Sequence, residues 1–576
     1  MSPRANLPTN ALSLAISLHK AGQFTQAQTI YEQILLAEPE NPKVLNGLGL
    51  LKAQMGDEKG AIRLITSAVK LEPTNLGYLN NLGNIYRSSR QLEEAIATYR
   101  QALQLNPDFA DSHFNLGIVL TELDRIPEAI LALEEALRLN PRHPRAYITL
   151  GELFQAQGKL DQAIAAYHKG LALQPQFFEG LTALGRALYR QGDLRGSQSA
   201  YERALSINPY SIEALSNIGA TFYEQGKIKV AVACYQEVIN LAPTAPEGHI
   251  NLGFLYSQQG QYEPAANCYN QALKQDPKSL QAMTGLASVL ASQAQWSEAI
   301  EVYQRILQLD SNSAETYAAL GIALRAKGDS EGAIAQFQQA IQRDPRHIKA
   351  HAHLGLALQD LANPDPANSD AAGSIFDYSG LVIPYPSTQV EGWDSLISYN
   401  AALKNYIYTH PTLLFERPGK PLSKGRQTYE IFTDSSPVMA TLRSLIYAKL
   451  EDYLTHCAAS GHAFFQNAPT DWHLSGWAVV LESEGFQSSH IHPESFCSGV
   501  YYVQVPNTVK QNTTGEGYLN FGELFPGETA LNKLEKYTIK PEEGLLVLFP
   551  SYFWHSTIPF VGESDRVCIS FNVVPT

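Results

Sequence analysis

Small and apolar positions return every 34 residues over the first 347 residues of the chain. Gly49, Gly83, Gly117, Gly151, Gly185, Gly219, Gly253 and Gly321 form one series, with Ala15 and Ala287 as small substitutes. Ala27, Ala61, Ala95, Ala129, Ala163, Ala231, Ala265, Ala299 and Ala333 form a second, its gap filled by Ser197. Aromatics make a third (Tyr31, Tyr99, Tyr167, Tyr201, Tyr235, Tyr269, Tyr303, Phe337). Prolines make a fourth from Pro39 to Pro345, with Ser311 in its one gap. Gly and Ala let two helix backbones cross closely, the aromatic fills the space beside the crossing, and Pro stops the second helix. The pattern predicts ten helix–turn–helix units over 8–347, followed by an amphipathic capping segment, 348–361.

Helical periodicity ends at Leu361. Residues 362–373, rich in Pro, Asn, Asp and Ala, read as a linker, and 374–576 as one further domain with more aromatics and no 34-residue pattern. Apolar spacing predicts helices over 390–409 and 436–460, the second opened by Pro437. Short strands are expected over 476–482, 489–492, 498–505, 518–523, 536–539, 545–549, 554–559 and 566–573. Gln427 falls on a further strand-like stretch and has no assigned role. Eight short strands flanked by two helices predict an α+β domain built on a double-stranded β-helix, or jelly roll.

The repeat series resemble those of the tetratricopeptide repeat (TPR), over residues 8–361. The resemblance implies an α-solenoid whose first helices line a groove for a protein or peptide. Two positions before the glycine stand Asn81, Asn115, Asn217 and Asn251. A similar asparagine ladder in the TPR region of O-linked N-acetylglucosamine transferase holds peptide amides, and an asparagine offers both donors and an acceptor to an extended chain. Gly47, Thr149, Ala183, Gly285 and Ala319 interrupt the ladder, so a position that merely tolerates Asn is the competing reading.

Composition narrows the classes further. Acidic residues outnumber basic ones by 56 to 42, a net charge of −14, which disfavours nucleic acid as a partner because that affinity rests on clustered Lys and Arg. No apolar run approaches the ~20 residues that span a bilayer, so no membrane partner is expected. Met1-Ser2-Pro3-Arg4 does not open a signal peptide. Cys234, Cys268, Cys457, Cys497 and Cys568 form no CxxC pair, and reduced thiols in a cytoplasmic protein are expected.

Candidate chemistry concentrates near the C-terminus. Alternate residues of a strand share a face, so His490 and His492 can both reach one ion. His555 can deliver a third imidazole from another strand. Arg566 follows it by eleven residues across a turn at 562–565, and a hairpin of that length would return its guanidinium beside His555. Imidazoles suit Fe, Zn or Cu, and a guanidinium suits a carboxylate.

The ordered set resembles the 2-oxoglutarate/Fe(II)-dependent oxygenases, most closely a family with an HxHP…SGVYYV…FPS…H…R pattern. It is matched here by His490, His492, Pro493, residues 498–503, Phe549-Pro550-Ser551, His555 and Arg566. What the resemblance implies is Fe(II) held by histidines and 2-oxoglutarate chelating it through the keto-acid end. The distal carboxylate would lie on Arg566, helped by Ser570 and Tyr502, and O2 would be the oxidant that yields a hydroxylated product, succinate and carbon dioxide. Most of that superfamily combines two histidines with a carboxylate, and His492-Pro493-Glu494 has the required spacing. The ligand set therefore stays open between His490, His492, His555 and His492, Glu494, His555. Three histidines would also suit a cupin-like dioxygenase that uses no 2-oxoglutarate. The expected function is a dioxygenase that hydroxylates a protein or peptide captured by the TPR groove. The alternatives are a TPR scaffold with a non-catalytic ligand-binding barrel, and a TPR-localised oxygenase acting on a small molecule.

Overall fold

The computed structural model describes residues 10–361, 375–415, 421–524 and 535–576; the expected linker, 362–373, lies outside them. The chain divides into two compact units, residues 1–255 and 256–576. From Ala11 to Arg343, twenty helices alternate with short turns and pair as hairpins. Inside a hairpin the glycine of the first helix is pressed against the aromatic of the second. A Cβ on Gly83 would lie 2.5 Å from the Tyr99 ring, and one on Gly321 2.6 Å from Phe337. Where Leu133 replaces the ring, Gly117 would still meet it at 2.8 Å. The partner side chain, and not only the small residue facing it, excludes a side chain at that position.

A further series escapes the small-residue pattern. The turn within each hairpin holds one left-handed residue: Gly22, Gly56, Gly158, Gly192, Gly226, Gly260 and Gly328, and on the same interval Arg90, Asp124 and Ala294, with φ from +57° to +95°. Glycine adopts that conformation without a Cβ clash.

In the second unit, helix Ile348–Leu361 does more than cap. Ile348, Ala352 and Leu356 belong to one buried cluster with the C-terminal strands. Arg325 pairs with Asp360 at 2.7 Å, both side chains buried. His351 and His353 are buried packing residues: His351 stands edge-on to Phe464 at 5.1 Å, and His353 edge-on to Trp554 at 6.0 Å.

Ten strands, among the described residues, make two antiparallel sheets. In chain order they are β1 (Ile383–Pro386), β2 (Leu414–Phe415), β3 (Leu422–Gln427), β4 (Trp472–Gln487), β5 (Cys497–Gln504), β6 (Leu519–Phe521), β7 (Tyr537–Ile539), β8 (Leu545–Pro550), β9 (His555–Thr557) and β10 (Arg566–Pro575). The larger sheet runs β1-β8-β5-β10-β4-β3-β2 and the smaller β7-β6-β9. They form the expected double-stranded β-helix, with helices Leu396–Thr409 and Pro437–Ala459 contributing Tyr399, Leu403, Leu442 and Ile446 to the shared core.

Several expectations need correction. The first of these helices starts six residues later than its apolar spacing suggests, because Ser395 and Ser398 form a capping box. β1 was not expected, since Pro384 and Pro386 each remove a donor; at the sheet edge, where one side needs no partner, that is tolerated. The expected strand 489–492 forms only a single bridge, His490 to His555. The expected hairpin between His555 and Arg566 is absent. β9, three residues long, lies in the small sheet, while β10 is buried along most of its length and inserts between β5 and β4.

Burial depresses His351 to about 4 and His353 to about 3, from the ordinary 6.5. The unfolded chain therefore takes up these protons first as pH falls. Their contribution to stability is fully present above about pH 6.5 and is lost progressively as pH falls to about 4 for His351 and about 3 for His353. A His351→Leu, His353→Leu double variant isolates the effect. Its urea midpoint relative to the native chain should be constant above pH 7 and rise steadily from pH 6.5 to pH 4.

Candidate metal centre

Backbone pairing brings the three histidines together. The His490 and His555 backbones exchange N–H···O bonds of 3.0 and 3.1 Å, and the His492 N–H donates to the Ser551 carbonyl at 3.0 Å. The rings then stand 4.4 Å (His490–His555), 4.9 Å (His490–His492) and 5.1 Å (His492–His555) apart. One nitrogen from each lies within 4.8 Å of the others, and the Nε2 atoms of His492 and His555 are 3.3 Å apart. A metal–nitrogen bond of about 2.1 Å at right angles demands nitrogens about 3 Å apart, so small inward rotations suffice for one ion.

Two of the imidazoles are aimed by main-chain carbonyls. His490 Nδ1 donates to Ser488 O at 2.8 Å and His555 Nδ1 to Phe553 O at 2.9 Å. A carbonyl only accepts, so in both rings the hydrogen is on Nδ1 and the lone pair on Nε2. Burial, reinforced by neighbouring His490, holds His555 well below the usual histidine range and keeps it neutral. Glu494 is exposed and stands outside this cluster; the turn after His492 carries it to the surface.

Arg566, Cys568 and Ser570 of β10 alternate onto one face and line the same cavity as the histidines. Arg566 reaches it from the large sheet, not from a hairpin beside His555. It is 1% exposed. Its Nη2 donates to the Tyr502 hydroxyl at 3.2 Å and the guanidinium lies 5.0 Å from that ring, whereas its Nε and Nη1 are buried without hydrogen-bond partners among the described residues. Burial raises the Tyr502 phenol to about 12, the Arg566 charge pulling it down by less. Tyr501 points the other way and donates to Asn400 Oδ1 at 2.9 Å. Among the described residues, no Asp or Glu lines the cavity.

Sequence reasoning missed Trp477 and Gln487 in the wall, and a polar chain behind His492 made of Asn572, Ser498 and Ser551. The period-two alternation that groups Arg566 with Ser570 extends one step further to Asn572 and would have found it.

In the first unit, Asn81 donates to Asn46 at 3.0 Å and Asn115 to Asn80 at 2.9 Å. The first helices of the second, third and fourth hairpins are thus tied by asparagine pairs. Asn217 and Asn251 are half-buried at the equivalent positions.

Fold and site together define a helical-repeat protein with a jelly-roll unit holding a histidine cluster and a buried arginine. The family described as "Putative 2OG-Fe(II) oxygenase" matches residues 475–572. TPR families match 12–75 and 250–314 ("Tetratricopeptide repeat"), 83–124 and 321–361 ("TPR repeat"), and 120–249 ("Cytochrome c-type biogenesis protein H TPR domain"). The chain therefore carries tetratricopeptide repeats followed by a C-terminal domain of that oxygenase family. No curated protein matches it. Similar solved structures include MamA, 29% identical over 28% of this chain and 95% of that one, TM-score 0.27. YrrB, "a TPR protein with an unusual peptide-binding site", is 22% identical over 32% and 95%, TM-score 0.30. The pilF protein of Pseudomonas aeruginosa is 21% identical over 37% and 96%, TM-score 0.33.

The two candidate ligand sets separate in a Co(II) titration followed by visible absorption. Alanine at His490, His492 or His555 should each weaken binding by two orders of magnitude or more, whereas Glu494→Ala should leave it unchanged. A loss with Glu494→Ala would reinstate the carboxylate ligand.

Proposed function

We propose that the chain is an Fe(II)- and 2-oxoglutarate-dependent dioxygenase that hydroxylates a protein or peptide held by its repeats. The observation that carries this reading is Arg566. A guanidinium buried without a counter-charge costs several kcal/mol, and here two of its nitrogens have nothing to donate to among the described residues. A carboxylate arriving at that wall supplies both the charge and the acceptors. The Tyr502 hydroxyl accepts from Arg566 and keeps its own hydrogen to donate.

The rest of the cavity favours a dianion. His490, His492 and His555 would hold Fe(II) as neutral ligands, and the bound iron supplies the oxygen chemistry that the side chains lack. A divalent ion and a guanidinium with no acidic residue between them are balanced by the two carboxylates of 2-oxoglutarate, one at each end of the cavity. Ser570 lies one alternation beyond Cys568 on the same wall. Phe549, Phe571 and Trp477 give the wall an apolar surface. A cupin-like dioxygenase without 2-oxoglutarate leaves the two Arg566 nitrogens unexplained.

For the repeats, substrate capture is the favoured role, because a groove joined to an active site raises the local concentration of a weakly held chain. Asn81, Asn115, Asn217 and Asn251 are the proposed contacts. Five free cysteines support a cytoplasmic setting.

The test is succinate formation from 2-oxoglutarate with added Fe(II). His555→Ala should abolish it, and Arg566→Gln should raise the 2-oxoglutarate requirement tenfold or more. An unchanged requirement removes the proposed role of Arg566, and absence of turnover with the native chain sinks the enzyme. Deleting residues 1–242 should remove protein hydroxylation while sparing uncoupled turnover of 2-oxoglutarate.

A further inference from the structure

Backbone carbonyls set the Nε2 lone pairs of His490 and His555, and the side chain that meets His492 Nδ1 is an amide. His492 Nδ1 faces the Asn572 Nδ2 at 3.4 Å. Asn572 Oδ1 in turn accepts from Ser498 Oγ at 2.9 Å, and Ser498 shares a hydrogen bond of 2.8 Å with Ser551. Taken in this direction, one continuous chain of donors runs from Ser498 to Asn572, from Asn572 to His492 Nδ1, from His492 Nε2 to His555 Nε2, and from His555 Nδ1 to Phe553 O. Every link has a donor and an acceptor. The cost is that His492 carries its hydrogen on Nε2, the atom that faces the other two ligands, so three lone pairs cannot meet on one ion.

The chain can also run the other way. An asparagine amide has nearly the same shape after a half-turn about its terminal bond. With Oδ1 towards His492, it accepts a hydrogen from Nδ1, and its Nδ2 donates to Ser498 Oγ, which donates on to Ser551. His492 Nε2 then bears a lone pair, and all three imidazoles share the arrangement that the carbonyls impose on His490 and His555. The hydrogen moves from Nε2 to Nδ1 of the same ring, so no net proton is taken up or released.

We propose that Asn572 is the positioning residue that commits His492 to metal binding, its amide turning over with the ring's tautomer. This rests on the three-histidine reading of the site. The Ser498–Ser551 pair is what makes the turn possible, because a hydroxyl can accept in one orientation and donate in the other.

Three variants test it by Co(II) affinity, with no turnover involved. Asn572→Asp offers only acceptors, holds the hydrogen on Nδ1, and should bind Co(II) at least as tightly as the native chain. Asn572→Leu, of similar size but without an acceptor, should bind roughly ten- to a hundredfold more weakly, the usual loss on removing an outer partner of a ligand. Ser498→Ala should fall between them. Nitrogen-15 NMR of the histidines should show His492 hydrogenated on Nδ1 in the Asp variant, a readout that packing alone does not move. Equal weakening by Asp and Leu, or native affinity in the Leu variant with native near-ultraviolet circular dichroism, overturns the proposal. A native chain that binds no Co(II) at all overturns the metal centre itself, which is a different failure.

Discussion

Among the described residues, Arg566 is one of the largest side chains excluded from solvent, and it is charged. Burying an ion is tolerated only where partners replace its hydration. Here one nitrogen has a tyrosine hydroxyl, and among the described residues the wall around it holds no carboxylate. Much of the C-terminal unit follows from keeping that group in place: β10 is flanked on both sides by long strands, and the turn before it is anchored. Asp565, the preceding residue, accepts from Tyr408 at 2.5 Å and from Arg426 at 3.0 Å, and its carbonyl accepts from Gln504 at 2.7 Å. The backbone that carries the guanidinium is pinned from three directions.

The opposite side of the cavity is secured in another way. His555 is preceded by Tyr552, Phe553 and Trp554, all buried. Tyr552 and Trp554 pack on His351 and His353 of the last repeat helix, and the Phe553 carbonyl orients the His555 ring. The segment that aims one candidate ligand is thus also the seam with the helical repeats of the second unit. The helix and the jelly roll share one apolar core, and aromatic rings line the contact between them.

The repeats were legible in the sequence because every hairpin solves the same packing problem: a small residue meets a bulky one, most often a glycine against a ring, and a proline usually follows the second helix. Thirty-four residues of pattern, repeated ten times, leave little else to infer. The left-handed turn positions were harder to see, since Arg90, Asp124 and Ala294 break a glycine series that is otherwise regular. In the jelly roll, strand identity was readable from alternation, but pairing was not. Nothing local in 555–566 says that β9 and β10 belong to different sheets, since that depends on which long strands compete for β10. The site residues were visible as types at suggestive spacings. The polar chain behind His492 was not, because serine and asparagine on a strand face are common and take meaning only from what stands opposite.

The two ends of the large sheet are β1 and β2. β1 reads Ile-Pro-Tyr-Pro, and β2 is only two residues long. A strand that lacks two of its four amide hydrogens is a poor template for another strand, and a two-residue strand offers almost no length to copy. Between them lie β5 and β8, which are buried along nearly their whole length and rich in Val, Leu and Tyr. In an open-edged sheet, such sequences would invite neighbouring molecules to add on. The prolines that hid β1 from the sequence pattern thus also leave the edge beside that apolar interior with few amide hydrogens to offer a further strand.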